Sequence, residues 1–233
     1  MIDFYFWPTP NGWKVAMLLN ELGVEYRTIP VNIGRGEQFE EAFLRISPNN
    51  RMPAIVDHDV TGESVSVFES GAILWYLADK HSQFLSADPI ERKETLEWLF
   101  WQVGGQGPMA GQLSHFVNYA PEDERSYGQR RYKGEYERLA QVLENRLEGR
   151  EWLVGNAYSI ADMICWPWIL IAKPLGVDLT PFPNVTDWRA RIKARTATQS
   201  AVDLGRDFDR GPPLTEAERD RLYFQSAGTL KQS

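Results

Sequence analysis

Apolar and polar positions alternate at the start of the chain, where Ile2, Phe4 and Phe6 are separated by Asp3 and Tyr5, the two-residue period of a strand. The period then changes. Val15, Leu18, Leu19 and Leu22 fall at i, i+3, i+4 and i+7, the stripe of an amphipathic helix. Trp7-Pro8-Thr9-Pro10-Asn11-Gly12 joins the two. Its prolines keep Trp7 and Thr9 out of the helical region, and Asn11 is the expected N-cap. Residues 25–31 predict a second strand, and residues 38–44 a short helix with Phe39 and Phe43 on one side. Ser47-Pro48-Asn49-Asn50-Arg51-Met52-Pro53 is loop chemistry that leads into the apolar strand Ala54-Ile55-Val56-Asp57. Thr61-Gly62-Glu63 supplies a turn, and Val65-Ser66-Val67-Phe68 alternates as the returning strand. Glu69-Ser70-Gly71 opens a helix through Ile73, Leu74 and Leu77. The order β-α-β-α-β-β-α is an α/β sheet module of about 80 residues.

Beyond Asp88-Pro89 the strand signals vanish. Leu96, Leu99, Phe100 and Val103 line a helix that runs into Gly104-Gly105-Gln106-Gly107-Pro108, and Leu139, Val142 and Leu143 line another that ends near Gly149. Ser159-Ile160-Ala161-Asp162 matches a capping box, and Pro167 is expected to bend that helix or end its first segment. Val185, Trp188 and Ile192 mark a last clear helix, residues 207–213 read as loop, and Thr215-Glu216-Ala217-Glu218 starts a short helical tail. The expected division is 1–84 for the α/β module, 89–205 for an all-helical domain and 206–233 for a C-terminal extension.

Composition narrows the function. Among 233 residues, 25 Lys plus Arg face 32 Asp plus Glu, giving −7 with no basic run, which argues against nucleic acid or an anionic membrane as partner. The one cysteine, Cys165, excludes an internal disulfide framework and fits a reducing, cytoplasmic setting. It follows a capping box beside Trp166 and is expected to be buried and inert. His58, His81 and His115 are too scattered for a metal site. The chemistry therefore concentrates on the turn at residues 7–12. There a hydroxyl (Thr9) and a carboxamide (Asn11) stand before a helix N-terminus, whose unpaired N–H groups and partial positive charge stabilise an anion, a thiolate included.

An α/β module with Met52-Pro53-Ala54-Ile55 and Phe68-Glu69-Ser70-Gly71, followed by a helical domain with Ser159-Ile160-Ala161-Asp162, resembles the cytosolic glutathione transferases. Pro8-Thr9-Pro10-Asn11-Gly12, Ile46-Ser47-Pro48-Asn49-Asn50, Val56-Asp57-His58 and Trp98-Leu99-Phe100-Trp101-Gln102 resemble the bacterial nu class, best known as glutathione-dependent disulfide-bond reductases. The resemblance implies a thioredoxin-like first domain, a homodimer, and glutathione, reduced or as its disulfide, as co-substrate. Residues alone favour a trans proline starting a strand; the resemblance makes Met52-Pro53 a cis bond, so that the Met52 backbone pairs with the cysteinyl unit as an added strand. Residues alone leave Glu69-Ser70 as a plain helix start or an anion site. The resemblance puts the γ-glutamyl α-carboxylate on Ser70, its ammonium on Glu69, and the glycyl end on Gln38.

Thr9 and Asn11 are the candidate catalytic residues, each able to donate a hydrogen bond to sulfur and so hold the thiol, ordinarily near pKa 8.5, as thiolate. Both also suit plain turn-forming and capping. Most thioredoxin-like oxidoreductases carry Cys-x-x-Cys here, and this chain has no cysteine at the turn, so the reacting sulfur is glutathione's own. Arg131 resembles a basic position reaching glutathione from the neighbouring subunit; a solvated helix charge is the other reading. His115, with Phe116 and Tyr119, is the candidate substrate cleft, against a packed helix end. The implied reaction is reduction of a small or exposed protein disulfide. Conjugation of electrophiles or reduction of peroxides, and glutathione binding without catalysis, are the other readings.

Overall fold

The computed structural model describes residues 1–212 and 215–226; residues 213, 214 and 227–233, all within the expected extension, lie outside it. The chain divides into two compact units, Met1–Ile73 with Ser200–Ser233, and Leu74–Gln199.

In the first unit, β1 (Ile2–Phe6) leads into α1 (Pro10–Leu22), which stops at Gly23 in the left-handed region. β2 (Tyr26–Pro30), α2 (Glu41–Leu44), β3 (Ala54–Asp57) and β4 (Val65–Phe68) follow. The sheet order is β2-β1-β3-β4, with β1 parallel to β2 and antiparallel to β3. Phe4, Phe6, Val15, Leu18, Leu19 and Ile55 are fully buried and form the core of this unit. The expected helix over residues 38–44 is split. A 3-10 turn at Glu37–Phe39 is separated from α2 by Glu40, which is extended. The Glu37 carboxylate accepts the Asn32 N–H at 2.6 Å and holds that turn against the end of β2.

α3 (Ser70–His81) runs from the first unit into the second. α4 (Pro89–Trp101) is capped by Asp88, whose carboxylate accepts from the Ile90 and Glu91 N–H groups. A π-helical turn at Gln102–Gln106 carries the chain into α5 (Gly107–Asn118). α6 (Arg125–Leu147), α7 (Ile160–Leu170), α8 (Pro183–Lys193) and α9 (Thr196–Asp203) follow, and α10 (Glu216–Tyr223) closes the described chain behind a Thr215 capping box. α7 runs through Pro167 to Leu170, so this proline does not end it.

The Ser159 capping box is present, and Asp162 is its centre. Asp162 is fully buried, and its carboxylate accepts from Trp188 Nε1 at 2.8 Å, Leu153 N at 3.0 Å and Ser159 N at 3.1 Å. Burial pushes its pKa from 3.8 up to about 6, against the lowering pull of those donors. Between these values the native state binds more protons than the unfolded chain, so this group's contribution to stability falls as pH rises. The expected outcome is that the stability advantage of wild type over Asp162→Asn shrinks by about 2–3 kcal/mol from about pH 4 to about pH 7. Urea midpoints at the two pH values check it, and an unchanged difference places the folded pKa at its ordinary value.

Candidate functional site

The strand register gathers the loop residues singled out in the sequence. Tyr5 pairs with Ala54, and Ala54 with Phe68, so the turn after β1, the segment before β3 and the turn after β4 leave the same end of the sheet. β2 is parallel to β1, and Val31 N–H donates to the Phe6 carbonyl at 2.9 Å, so the loop carrying Gln38 leaves that end as well.

At the first turn the N-cap of α1 is Thr9 rather than Asn11. Pro10 takes the first helical position, where its missing N–H costs nothing, and holds Thr9 extended in front of it. Asn11 is then the second helical residue. The Thr9 hydroxyl oxygen accepts the Gly12 N–H at 3.4 Å, which leaves the hydroxyl proton for another acceptor. Gly12 is required by space: a Cβ there would lie 2.5 Å from the Trp7 carbonyl and 2.7 Å from the Phe6 ring.

At the second loop, Met52-Pro53 is a cis peptide bond. Met52 lies beyond Ala54, the last paired residue of β3, and its sulfur accepts the Trp7 N–H at 3.1 Å. Asn49 donates from Nδ2 to Glu69 Oε1 at 3.2 Å. Glu69 has φ 69°, the left-handed region that a non-glycine residue seldom occupies. Such strain costs about 1–3 kcal/mol and concentrates at functional sites. Ser70, at the start of α3, is buried, and Lys14 Nζ donates to its Oγ at 3.4 Å. Thus the β1 turn is bonded to the cis-proline loop, that loop to Glu69, and α1 to Ser70.

Gln38 is 1% exposed, and neither its Oε1 nor its Nε2 has a hydrogen-bond partner among the described residues. Leaving such groups unpaired costs about 1–3 kcal/mol. The same end of the unit is flanked by the C-terminal segment. Phe208 packs on Trp7 with ring centroids 5.8 Å apart, Asp209 pairs with Arg35 at 2.8 Å, and Gln225 Oε1 accepts from Asn50 Nδ2 at 3.3 Å.

The remaining sequence candidates lie in the second unit. Arg131 is exposed on α6 and attracts Glu135. On α5, His115 meets Phe116 edge-on at 5.4 Å and Tyr119 at 6.4 Å. Phe116 stacks on Tyr132 at 5.6 Å and covers Gly128, where a Cβ would come within 2.2 Å of the ring; Tyr119 is half exposed. Cys165 is 0% exposed inside α7. Sequence reasoning missed Lys14, Asn49 and the C-terminal contacts. Lys14 had a readable signal, since it falls four residues before Leu18 on the buried stripe of α1.

A mixed sheet with a cis-proline before β3 and an anion-ready helix start, continued by an all-helical unit, defines a thioredoxin-like domain of the glutathione-binding kind. The chain belongs to the glutathione S-transferase family: the family's N-terminal domain matches residues 1–79 and its C-terminal domain residues 113–196. It is 52% identical over 204 residues to the disulfide-bond oxidoreductase YfcG of Escherichia coli, a match covering 87% of this chain and 94% of that one. Among solved structures, a glutathione transferase from Burkholderia graminis with two glutathione molecules bound per subunit superposes with TM-score 0.84 at 40% identity, covering 90% of this chain and 89% of the other. One from Pseudomonas putida, with one glutathione disulfide per subunit, gives 0.80 at 38% identity, covering 87% and 91%.

Replacing the buried Gln38 amide by an apolar side chain of similar volume removes two unpaired polar atoms. Gln38→Met is therefore expected to stabilise the ligand-free protein by about 1–2 kcal/mol in urea denaturation. A loss of stability means the amide is satisfied in the free protein.

Proposed function

We propose that this protein is a glutathione-dependent disulfide-bond reductase of the nu-class type, using the thiolate of bound glutathione as its reacting sulfur. One observation carries this reading: the helix N-terminus behind Thr9 bears no thiol, while the chain's one cysteine is sealed inside α7. Redox chemistry at this site needs a sulfur brought by a ligand. The likeness to the Escherichia coli oxidoreductase supports disulfide reduction over conjugation.

In this reading glutathione lies along the sheet end. Its cysteinyl backbone pairs with Met52 beside Pro53, its γ-glutamyl carboxylate meets Ser70 and its ammonium Glu69, and its glycyl end satisfies the orphaned Gln38 amide. The sulfur faces Thr9 and Asn11. With its oxygen already accepting from Gly12, the Thr9 hydroxyl is aimed as a donor. Two donors and the partial positive charge of α1 stabilise thiolate over thiol. The thiolate attacks one sulfur of the substrate disulfide, a mixed disulfide with glutathione forms, and the first product thiolate leaves and takes a proton from water. A second glutathione thiolate attacks the glutathione sulfur of that mixed disulfide, releasing glutathione disulfide and the second product thiolate. Two glutathione molecules are thus oxidised per disulfide reduced. The solved relatives holding two glutathione molecules, or one glutathione disulfide, support room for both sulfurs.

The protein acts as a homodimer in this reading, with Arg131 reaching the neighbouring subunit's glutathione and His115, Phe116 and Tyr119 on the substrate side. Apolar exposure supports a partner surface: the edge strand β4 exposes Val65 and Phe68, and α4 exposes Phe100 at 71%. The setting proposed is the cytoplasm.

Purified protein is expected to reduce 2-hydroxyethyl disulfide at the expense of glutathione, and absence of turnover overturns the reading. Thr9→Ala should lower kcat/KM by about tenfold. Asn11→Ala should lower it further, because its amide also holds the tripeptide. In both variants the rate should depend on a less acidic thiol, moving the pH midpoint upward. Two variants with wild-type rates and midpoints remove these residues from the mechanism.

A further inference from the structure

Between α3 and α4 the backbone is strained at two places: Ser82 has φ 51° and Phe84 φ 59°, both in the left-handed region. Such conformations persist only where the surroundings impose them. Here the Phe84 carbonyl accepts the Ile160 N–H at 3.0 Å, and the Phe84 ring meets Tyr158 edge-on at 6.2 Å. Beside that turn the second unit holds a cavity of about 230 Å³, lined by the turn, the first turns of α4 and the loop before α7. A water takes about 30 Å³, so the space admits an ion with part of its hydration shell.

None of the residues lining this cavity is basic, and the half-buried Glu91 supplies its one carboxylate. Asp88 accepts from the N–H groups at the start of α4, so Glu91 is not needed there. Among the described residues the Glu91 carboxylate carries no hydrogen bond or ion pair. It lies against Gly155, where a Cβ would come within 2.7 Å of its Oε1. Thr95 gives its hydroxyl proton to the Glu91 carbonyl at 2.8 Å, and Ser159 gives its own to Asp162 at 3.4 Å. What these hydroxyls can offer the cavity is therefore lone pairs. Ser86 and Asn156 line it as well and add two further oxygens. Oxygen donors suit hard cations, and a single carboxylate balances a single positive charge.

We propose that this cavity is a binding site for a monovalent metal cation, potassium, held by the Glu91 carboxylate with neutral oxygens from Ser86, Thr95, Asn156 and Ser159. The ion joins the strained turn, α4 and the loop before α7. Only the folded chain brings these oxygens together, so the bound ion stabilises the native state by mass action.

The test is thermal unfolding in potassium chloride and in choline chloride at equal ionic strength, where general screening is the same. Wild type is expected to melt about 3 °C higher in potassium chloride. Glu91→Gln, which keeps the shape and removes the charge, is expected to melt at one temperature in both salts. Equal midpoints for wild type overturn the proposal, as does a potassium effect that survives in Glu91→Gln. Stabilisation by calcium chloride at concentrations where potassium has no effect overturns it too, because the site is then a divalent one. If Glu91→Gln does not fold, wild-type crystals soaked in rubidium chloride decide: an anomalous peak at coordinating distance from Glu91 supports the site, and its absence overturns it. Glu91 has no part in the proposed reaction, so Glu91→Gln is expected to turn over 2-hydroxyethyl disulfide at the wild-type rate, and the glutathione reading stands or falls separately.

Discussion

The pairing of β1 on both its edges is the constraint on which the site depends. Parallel to β2 and antiparallel to β3, it brings the C-terminal ends of β1, β2 and β4 and the N-terminal end of β3 to one rim of the sheet. Four loops far apart in sequence then share a short edge. A slip of one residue would turn Phe4 and Phe6 out of the core and scatter those loops. Register is therefore secured by burial, and the site inherits its geometry from the hydrophobic alternation of five residues. The bonds from Trp7 to Met52, from Asn49 to Glu69 and from Lys14 to Ser70 add local precision to an arrangement already imposed.

Stability is given up at that rim. Glu69 occupies a left-handed conformation, Gln38 is buried without partners among the described residues, and Lys14 is a buried lysine bonded to Ser70. Each departs from what a chain selected for stability alone would place there. In the proposed function a tripeptide supplies an acceptor and donor for the Gln38 amide and an ammonium for the Glu69 carboxylate.

Much of this was legible beforehand because strand and helix periods differ so plainly around residues 2–22 and 54–77. The order of the first elements and the Ser159 capping box follow from local pattern, whereas the cis bond at Met52-Pro53 was implied by the family resemblance alone. What was not legible had specific causes. Thr9 and Asn11 are both good caps, and only the preference of Pro10 for the first helical position decides between them. The helix over 38–44 broke because Glu40 is extended and Glu37 is drawn to the Asn32 N–H, a contact outside the periodic window. Leu96, Leu99, Phe100 and Val103 line one apolar stripe, and of these only Leu99 is buried, because a stripe tells which face is apolar and not what covers it. The bonding of Gln225 to Asn50 joins positions 175 apart, beyond any pattern that neighbouring residues carry.

The placement of sulfur gives the rest its sense. A protein with its own reactive cysteine needs only a helix N-terminus to activate it, and affinity for a thiol ligand is then secondary. Here Cys165 is walled inside α7 and the helix start offers only Thr9 and Asn11. In the proposed function both the nucleophile and its activation are therefore assembled by binding. In that reading, effort that another oxidoreductase puts into one side chain is distributed over Gln38, Met52, Glu69 and Ser70. The strained and unpaired groups fall along the tripeptide's proposed length rather than at the sulfur alone, as expected where positioning a borrowed thiolate is most of the catalysis.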